Sequence, residues 1–98
     1  MANIELYGPY WWLGPLDPFM PGQEHVWAVG PFETAGAVFS VSAHPIAAQD
    51  HQGLAVSSLS TAYVYGSDPS INFIVRNVSD TNVPGYRIYV SVVDDPKI

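Results

Sequence analysis

The 98-residue chain has no cysteine, only three basic residues and a charged fraction of 12%. Without thiols it can form neither a disulfide framework nor a thiolate nucleophile or metal ligand. Nine acidic residues against three basic ones give a formal net charge of −6. Nucleic acids and anionic membrane surfaces both attract clustered Lys and Arg, so we expect neither to be a partner.

Long hydrophobic runs are also missing. A membrane-spanning helix needs about 18 or more consecutive apolar residues, and no run here approaches that length, so we expect no membrane span. Residues 1–6 carry neither the basic n-region nor the apolar h-region of a secretory signal. These absences predict a leaderless soluble protein, cytoplasmic or released by a non-classical route, and the alternative is a mature form whose leader was removed.

Catalytic and cofactor motifs are absent from the sequence as well. It has no Gly-x-Ser-x-Gly elbow, no phosphate-binding glycine loop and no Asp-rich calcium loop. His44, Asp50 and His51 fall close together, but structural zinc sites usually have four ligands at tighter spacing. We therefore expect no enzyme activity, no metal and no cofactor.

What the chain does contain is strand patterning, most clearly in its last quarter. Apolar Ile71, Phe73 and Val75 alternate with other residue types in residues 71–78, and residues 86–93 alternate in the same way. Period-2 alternation with one apolar face is typical of half-buried strands. The Pro- and Gly-containing turn between the two runs predicts that they pair as an antiparallel hairpin.

These two runs also carry a resemblance. The motif Phe73-x-Val-Arg-Asn, followed by Val83-Pro-Gly-Tyr-x-Ile-x-Val-x-Val92, is similar to the final hairpin of many immunoglobulin-like sandwiches. It covers about a quarter of the chain and implies a fold of that type, without pointing to a particular family or functional residue. The formal glycosylation sequon Asn77-Val78-Ser79 lies within it and is interpreted as part of the turn.

Four further strands are predicted upstream, over residues 3–7, 24–29, 37–43 and 54–65. The alternation in the last of them slips at Ser57-Ser58, which predicts a β-bulge. Short strands separated by Gly/Pro turns predict a single all-β domain over residues 1–98. The expected architecture is an antiparallel two-sheet β-sandwich of the immunoglobulin-like, Greek-key type with six to seven strands, and a partly open barrel is the alternative.

Two segments are expected to lie outside the regular strands. Residues 8–22 contain four prolines and three glycines, which argues against a helix or a central strand there, and residues 94–98 form a polar tail. The expected core consists of apolar residues that share the inward parity of their strands. These are Ile4, Leu6, Trp27, Phe39, Val41, Leu59, Phe73, Val75, Ile88 and Val90.

The aromatic stretch Tyr10, Trp11 and Trp12 is the strongest candidate for ligand binding. Flat indole and phenol rings stack on the C–H faces of sugar rings while neighbouring polar groups bind the hydroxyls. The alternative is that the stretch covers the core or forms a subunit interface, with one Trp ring inward and the other outward.

A second candidate site is the outward face of the two terminal strands. Arg76, Arg87 and Tyr89 share that parity, and together they would suit a carboxylate, a sugar or a partner subunit. The alternative is a solvated strand face that carries two solubilising charges.

The composition of the chain predicts that part of its surface is covered by another molecule. Apolar residues make up 48% of the chain and aromatics 13%, a surplus for a small domain with so few charges. Exposed apolar area marks partner surfaces, so we expect a homo-oligomer. The predicted function is a non-catalytic, lectin-like carbohydrate-binding module that acts as a homo-oligomer. The alternative is a structural or assembly protein whose aromatic segment and neutral sheet face bind protein.

Overall fold

The computed structural model describes residues 4–14, 16–33, 38–46, 51–66 and 68–93. The six strands are β1 (Ile4–Leu13), β2 (Glu24–Val29), β3 (Val38–Pro45), β4 (Leu54–Tyr65), β5 (Asp68–Asn77) and β6 (Gly85–Val93). The prediction of an all-β fold is confirmed. The predicted polar tail, the first residue of the predicted strand 37–43, and Asp50 lie outside the described residues. Within the described ranges, no helix is long and apolar enough to cross a membrane.

The strands form two three-stranded antiparallel sheets, with orders β1-β6-β3 and β2-β5-β4. The predicted pairing of the last two strands is therefore wrong, because β5 and β6 are the central strands of different sheets. Alternation shows that a strand has an apolar face, but it does not show which strand lies beside it. The segment between them, residues 78–84, can extend over roughly 20 Å, twice the usual distance of about 10 Å between packed sheets.

One core lies between the inner faces of the two sheets. Its buried members come from the two central strands and from three loop residues: Phe19, Phe32, Ile71, Phe73, Val75, Val83, Tyr86, Ile88, Val90 and Val92. The predicted core positions of Phe73, Val75, Ile88 and Val90 are confirmed, and Trp27, Phe39 and Val41 pack against this core while partly exposed. Each central strand has a neighbour on both sides, which explains why its inner residues are completely covered.

The prediction for Ile4 and Leu6 is wrong, since they are 73% and 69% exposed. The cause is a register shift in β1 between Tyr7 and Tyr10, which reverses the parity of the inward residues. Gly8 makes the shift possible. Its φ is +118°, and a Cβ there would lie 2.7 Å from the Ile88 carbonyl oxygen.

The same shift allows β1 to continue as far as Leu13. Residues 8–13 are therefore strand, contrary to the prediction that the whole of 8–22 is irregular. Pro9 is accommodated because β1 is an edge strand, where the lost N–H leaves no inner ladder bond unmade. Residues 14 and 16–22 are irregular apart from an antiparallel bridge between Phe19 and Val83.

The predicted bulge in β4 is confirmed. Its register against β5 shifts between Ser57 and Ser60, and Ser58 has a positive φ of 56°. The predicted core position of Leu59 is wrong, because this residue lies inside the shifted segment and is 41% exposed. A bulge bends the strand and increases its twist. β4 can accommodate this bend because it is an edge strand and has no neighbour on its outer side.

Asn77 fastens the loop of Phe19 to the end of β5. Its side-chain amide donates to the carbonyl oxygens of Phe19 and Thr81, both at 2.8 Å. Its side-chain oxygen accepts from the backbone N–H and the hydroxyl of Ser79, so the interpretation of the sequon as a turn agrees with an Asx-type hydrogen bond. Asn77 is only 1% exposed.

Candidate functional site

The candidate site is a set of adjoining grooves where edge strands β1 and β2 of the two sheets face each other. The grooves have volumes of about 480, 330 and 300 Å³, and the half-buried indole of Trp12 lines all three. The His25 ring lies 4.6 Å from the Trp12 ring and lines the two larger grooves. Two adjacent edge strands thus present an aromatic surface at the open side of the core.

The orientation of Trp12 follows from β1 and from the glycine that follows the strand. Trp12 and Tyr86 are Cα partners, and their rings stack with centroids 5.3 Å apart. A Cβ on Gly14 would lie 2.6 Å from Cζ2 of Trp12 and 2.5 Å from the Asp17 carbonyl oxygen. The Gly14 N–H donates to the Pro84 carbonyl at 3.0 Å. Glycine at this position therefore leaves the space in which the indole lies.

Behind the groove, a hydrogen-bond chain crosses from one sheet to the other. The Trp27 indole N–H donates to the Tyr86 hydroxyl at 2.9 Å, and that hydroxyl lies 2.6 Å from Nδ1 of His25. An indole can only donate, so the Tyr86 oxygen accepts from Trp27. In the His25 tautomer with an unprotonated Nδ1, the Tyr86 hydroxyl donates its own proton to that nitrogen. His25 then carries its remaining proton on Nε2, for which no described residue provides an acceptor.

Burial favours the neutral forms of both partners in this chain. It raises the pKa of Tyr86 to about 12, against a smaller lowering from the Trp27 hydrogen bond. It also lowers the pKa of His25 below its ordinary value of 6.5. At neutral pH the chain Trp27–Tyr86–His25 is therefore uncharged, and the imidazole is a neutral N–H donor.

Polar groups lie around the aromatic surface. Glu24 lines the largest groove, and Asp17 and Gln23 line the groove of about 330 Å³ together with Trp12 and His25. The side-chain oxygen of Gln23 accepts from the Met20 N–H at 2.7 Å, which ties it to the loop that closes this side. Carboxylate acceptors and an imidazole donor beside a flat indole can bind a ligand with hydroxyl groups and an apolar face.

The structure separates the three residues of the predicted aromatic stretch. Tyr10 and Trp12 lie on the inner face of β1 and pack against the core, whereas Trp11 lies on the outer face and is 53% exposed. One Trp ring is thus inward and the other outward, as expected. The two indoles serve different surfaces of the molecule.

Arg87 and Tyr89 lie on the same outer surface as Trp11. Trp11 and Arg87 are Cα partners, and the Arg87 guanidinium carbon lies 6.0 Å from the centroid of the Tyr89 ring. The guanidinium also donates to the Pro45 carbonyl at 3.1 Å. Arg76 is not brought to this patch, because it lies on β5 in the other sheet, opposite Glu24.

Several residues of the site had not been predicted as functional, namely His25, Tyr86, Gly14 and the polar residues Asp17, Gln23 and Glu24. The shared parity of His25 and Trp27 on β2 was visible in the sequence, but their closeness to β1 depends on how the sheets pack. Among the described residues, no three His, Cys, Asp or Glu side chains are grouped as a metal site would need. No protein-family model, curated protein or solved structure matches the chain.

Proposed function

We propose that the protein is a non-catalytic carbohydrate-binding module whose ligand lies over Trp12 in the grooves between β1 and β2. The observation that carries the proposal is the meeting of three grooves at one half-buried indole, with carboxylates and an imidazole beside it. Sugar rings combine apolar C–H faces with a rim of hydroxyl groups. A flat ring with polar neighbours complements both properties.

The shape of the site supports a sugar at the end of a chain. The largest groove, about 480 Å³, is within the range of small-molecule sites. It is open along the edge of the two sheets, so a longer glycan can leave it without a clash. Binding of one ring in such a groove is weak, and several copies on one surface would raise the avidity.

The hydrogen-bond chain supports the same ligand class. In the tautomer in which Nδ1 of His25 accepts from Tyr86, the imidazole offers Nε2–H as a donor. Glu24 and Asp17 offer acceptors for sugar hydroxyls. Tyr86 itself is completely buried and out of reach of a ligand. Acid–base catalysis is favoured by closed sites that exclude water. These grooves are open, which favours binding over catalysis.

The test is a titration of soluble mono- and oligosaccharides, chosen from a glycan array, followed by calorimetry. We expect Trp12→Ala to weaken binding by about tenfold or more through loss of the stacking surface. Glu24→Ala, at an exposed position outside the core, should weaken it about 3–10-fold by removing a hydroxyl acceptor. Circular dichroism of each variant checks that the fold is intact.

Trp11→Ala is the matched control, since it removes the neighbouring indole from the opposite face of the same strand. It should leave the affinity for a soluble sugar unchanged. The proposal is overturned if no glycan binds at millimolar concentration, or if Trp11→Ala abolishes binding while Trp12→Ala does not.

We further propose that the two sheets form a β-sandwich of the immunoglobulin-like, Greek-key type. In that fold one sheet has the strand order A-B-E-D and the other C-F-G. The order β2-β5-β4 corresponds to B-E-D, and β3 beside β6 corresponds to C beside F. β1 is antiparallel to β6 at the place of strand G, although it comes first in the chain.

A further inference from the structure

The outer face of the β1-β6-β3 sheet exposes an unusual amount of apolar surface. It carries five large, exposed apolar side chains: Ile4, Leu6, Trp11, Leu13 and Val38. Four of them come from the edge strand β1. On the outer face of the other sheet, β2 exposes one large apolar side chain, Val26. The two longer strands of that sheet carry mostly small and polar residues there: Ala55, Ser57, Ser60, Ala62, Ser70, Asn72, Ile74 and Arg76.

The charge on this face is also distinctive. The strand registers place Arg87 on it, and within the described ranges none of the carboxylates occupies an outer position in β1, β3 or β6. Arg87 is held by the Pro45 carbonyl and lies at the Tyr89 ring. The remaining outer residues of β6 and β3 are mostly Ser, Tyr, His and Val.

We propose that this outer face is covered by a second copy of the chain, packed face to face as a two-fold dimer. With a net charge of −6, two copies repel each other wherever their acidic surfaces meet. The outer face of β1-β6-β3 is where the described carboxylates are absent and apolar side chains replace them. Burial of those side chains then drives association without a carboxylate at the contact.

The size of the face agrees with a dimer. Three strands about 4.8 Å apart, each extending about 30 Å, present roughly 450 Å² of flat area before the relief of the side chains is counted. Two such faces bury about 1,000 Å² or more together, which reaches the lower limit of a specific interface. In a two-fold dimer the same surface of both copies forms the contact. The apolar strand β1 of one copy therefore packs against the outer face of the β1-β6-β3 sheet of the other.

The experiment is sedimentation equilibrium of the full chain over a range of concentrations. We expect the wild type to have the mass of a dimer at micromolar concentration. Leu6→Glu and Leu13→Glu each place a carboxylate in the contact and should weaken the dimer by roughly a hundredfold. Both side chains point outward, so the fold should survive, and far-UV circular dichroism checks this.

Val26→Glu is the matched control. Val26 is 80% exposed on the outer face of the other sheet, so the same charge there should leave the dimer intact. Trp12→Ala should also stay dimeric while losing the sugar, which separates this proposal from the carbohydrate site. A wild type that is monomeric at millimolar concentration overturns the proposal, as does equal dissociation by Val26→Glu. A monomer that adsorbs to phosphatidylcholine vesicles through Leu6 would overturn it too and assign the face to lipid.

Discussion

Nδ1 of His25 lies 2.6 Å from the hydroxyl oxygen of Tyr86, across the core and 61 residues away in the chain. The contact joins an edge strand of one sheet to the central strand of the other. It also joins the groove to the core, because His25 lines the groove while Tyr86 is completely buried. The protonation state of one ring therefore affects both the stability of the fold and the candidate site.

The protein should lose stability as the pH is lowered through the range of histidine. Burial holds the pKa of His25 below 6.5 in the folded state, so the unfolded chain binds a proton more readily. The free energy of unfolding is then constant above about pH 7 and falls as the pH drops from about 6.5 towards the folded-state pKa. Urea denaturation between about pH 8 and 5 measures this fall.

Two histidine variants make the pH experiment specific. His25→Gln should remove most of the dependence in this window, whereas His44→Gln, at an exposed position on β3, should keep it. A flat profile in the wild type would contradict the assigned hydrogen-bond chain.

Truncation of the central strands should be costly. Phe73→Ala and Ile88→Ala each remove a side chain that is at most 1% exposed, and each should lower the free energy of unfolding by about 2–5 kcal/mol. Val26→Ala, which shortens an exposed side chain, should change it by less than about 0.5 kcal/mol. Urea midpoints that do not separate these variants would be inconsistent with the core described above.

Asn77→Ala should destabilise the protein by about 2–6 kcal/mol, because it removes four side-chain hydrogen bonds worth about 0.5–1.5 kcal/mol each. Asn72→Ala provides the control within the same strand, since Asn72 lies on the outer face of β5 and should cost little. Thermal unfolding of the pair measures the difference. Equal melting temperatures would show that the Asn77 bonds do not hold the Phe19 loop.

Gly14→Ala should weaken sugar binding by displacing the Trp12 indole on which the ligand stacks. The new methyl group would overlap the Trp12 ring and force it to move. The expected loss is about 3–10-fold, since misplaced stacking costs about 0.5–1.5 kcal/mol. Gly53→Ala, where a Cβ meets its nearest neighbour at an ordinary 3.6 Å, should bind normally. Calorimetry on both variants, with indole fluorescence as a second readout, provides the comparison.

Local patterning was enough to predict the strands and most of their inward faces. In β2, β3, β5 and β6 the parity of apolar residues matches the side that is covered, because these strands keep one register throughout. It failed in β1, where the shift at Gly8 reverses the faces and exposes Ile4 and Leu6. A bulge depends on backbone geometry. It can be predicted from the sequence only where the alternation of apolar residues changes parity, as it does in β4.

The pairing of strands and the residues that line the groove could not be predicted from local sequence patterns for a related reason. Trp12 was predicted as a binding residue because of its chemistry, and it lines the groove. His25 and Tyr86 were not, because only the packing of two sheets brings them beside it. Arg76 and Arg87 share a parity yet lie on opposite sides of the molecule, since β5 and β6 belong to different sheets.

Pro9 has a further consequence for β1. It lies at the register shift of this edge strand and has no amide hydrogen, so a strand arriving from another molecule would meet a gap halfway along the ladder. This gap disfavours continuous edge-to-edge pairing of sheets from successive molecules, although apolar residues lie on either side of Pro9. An edge proline of this kind disfavours edge-to-edge pairing and so favours a finite assembly over a continuous one.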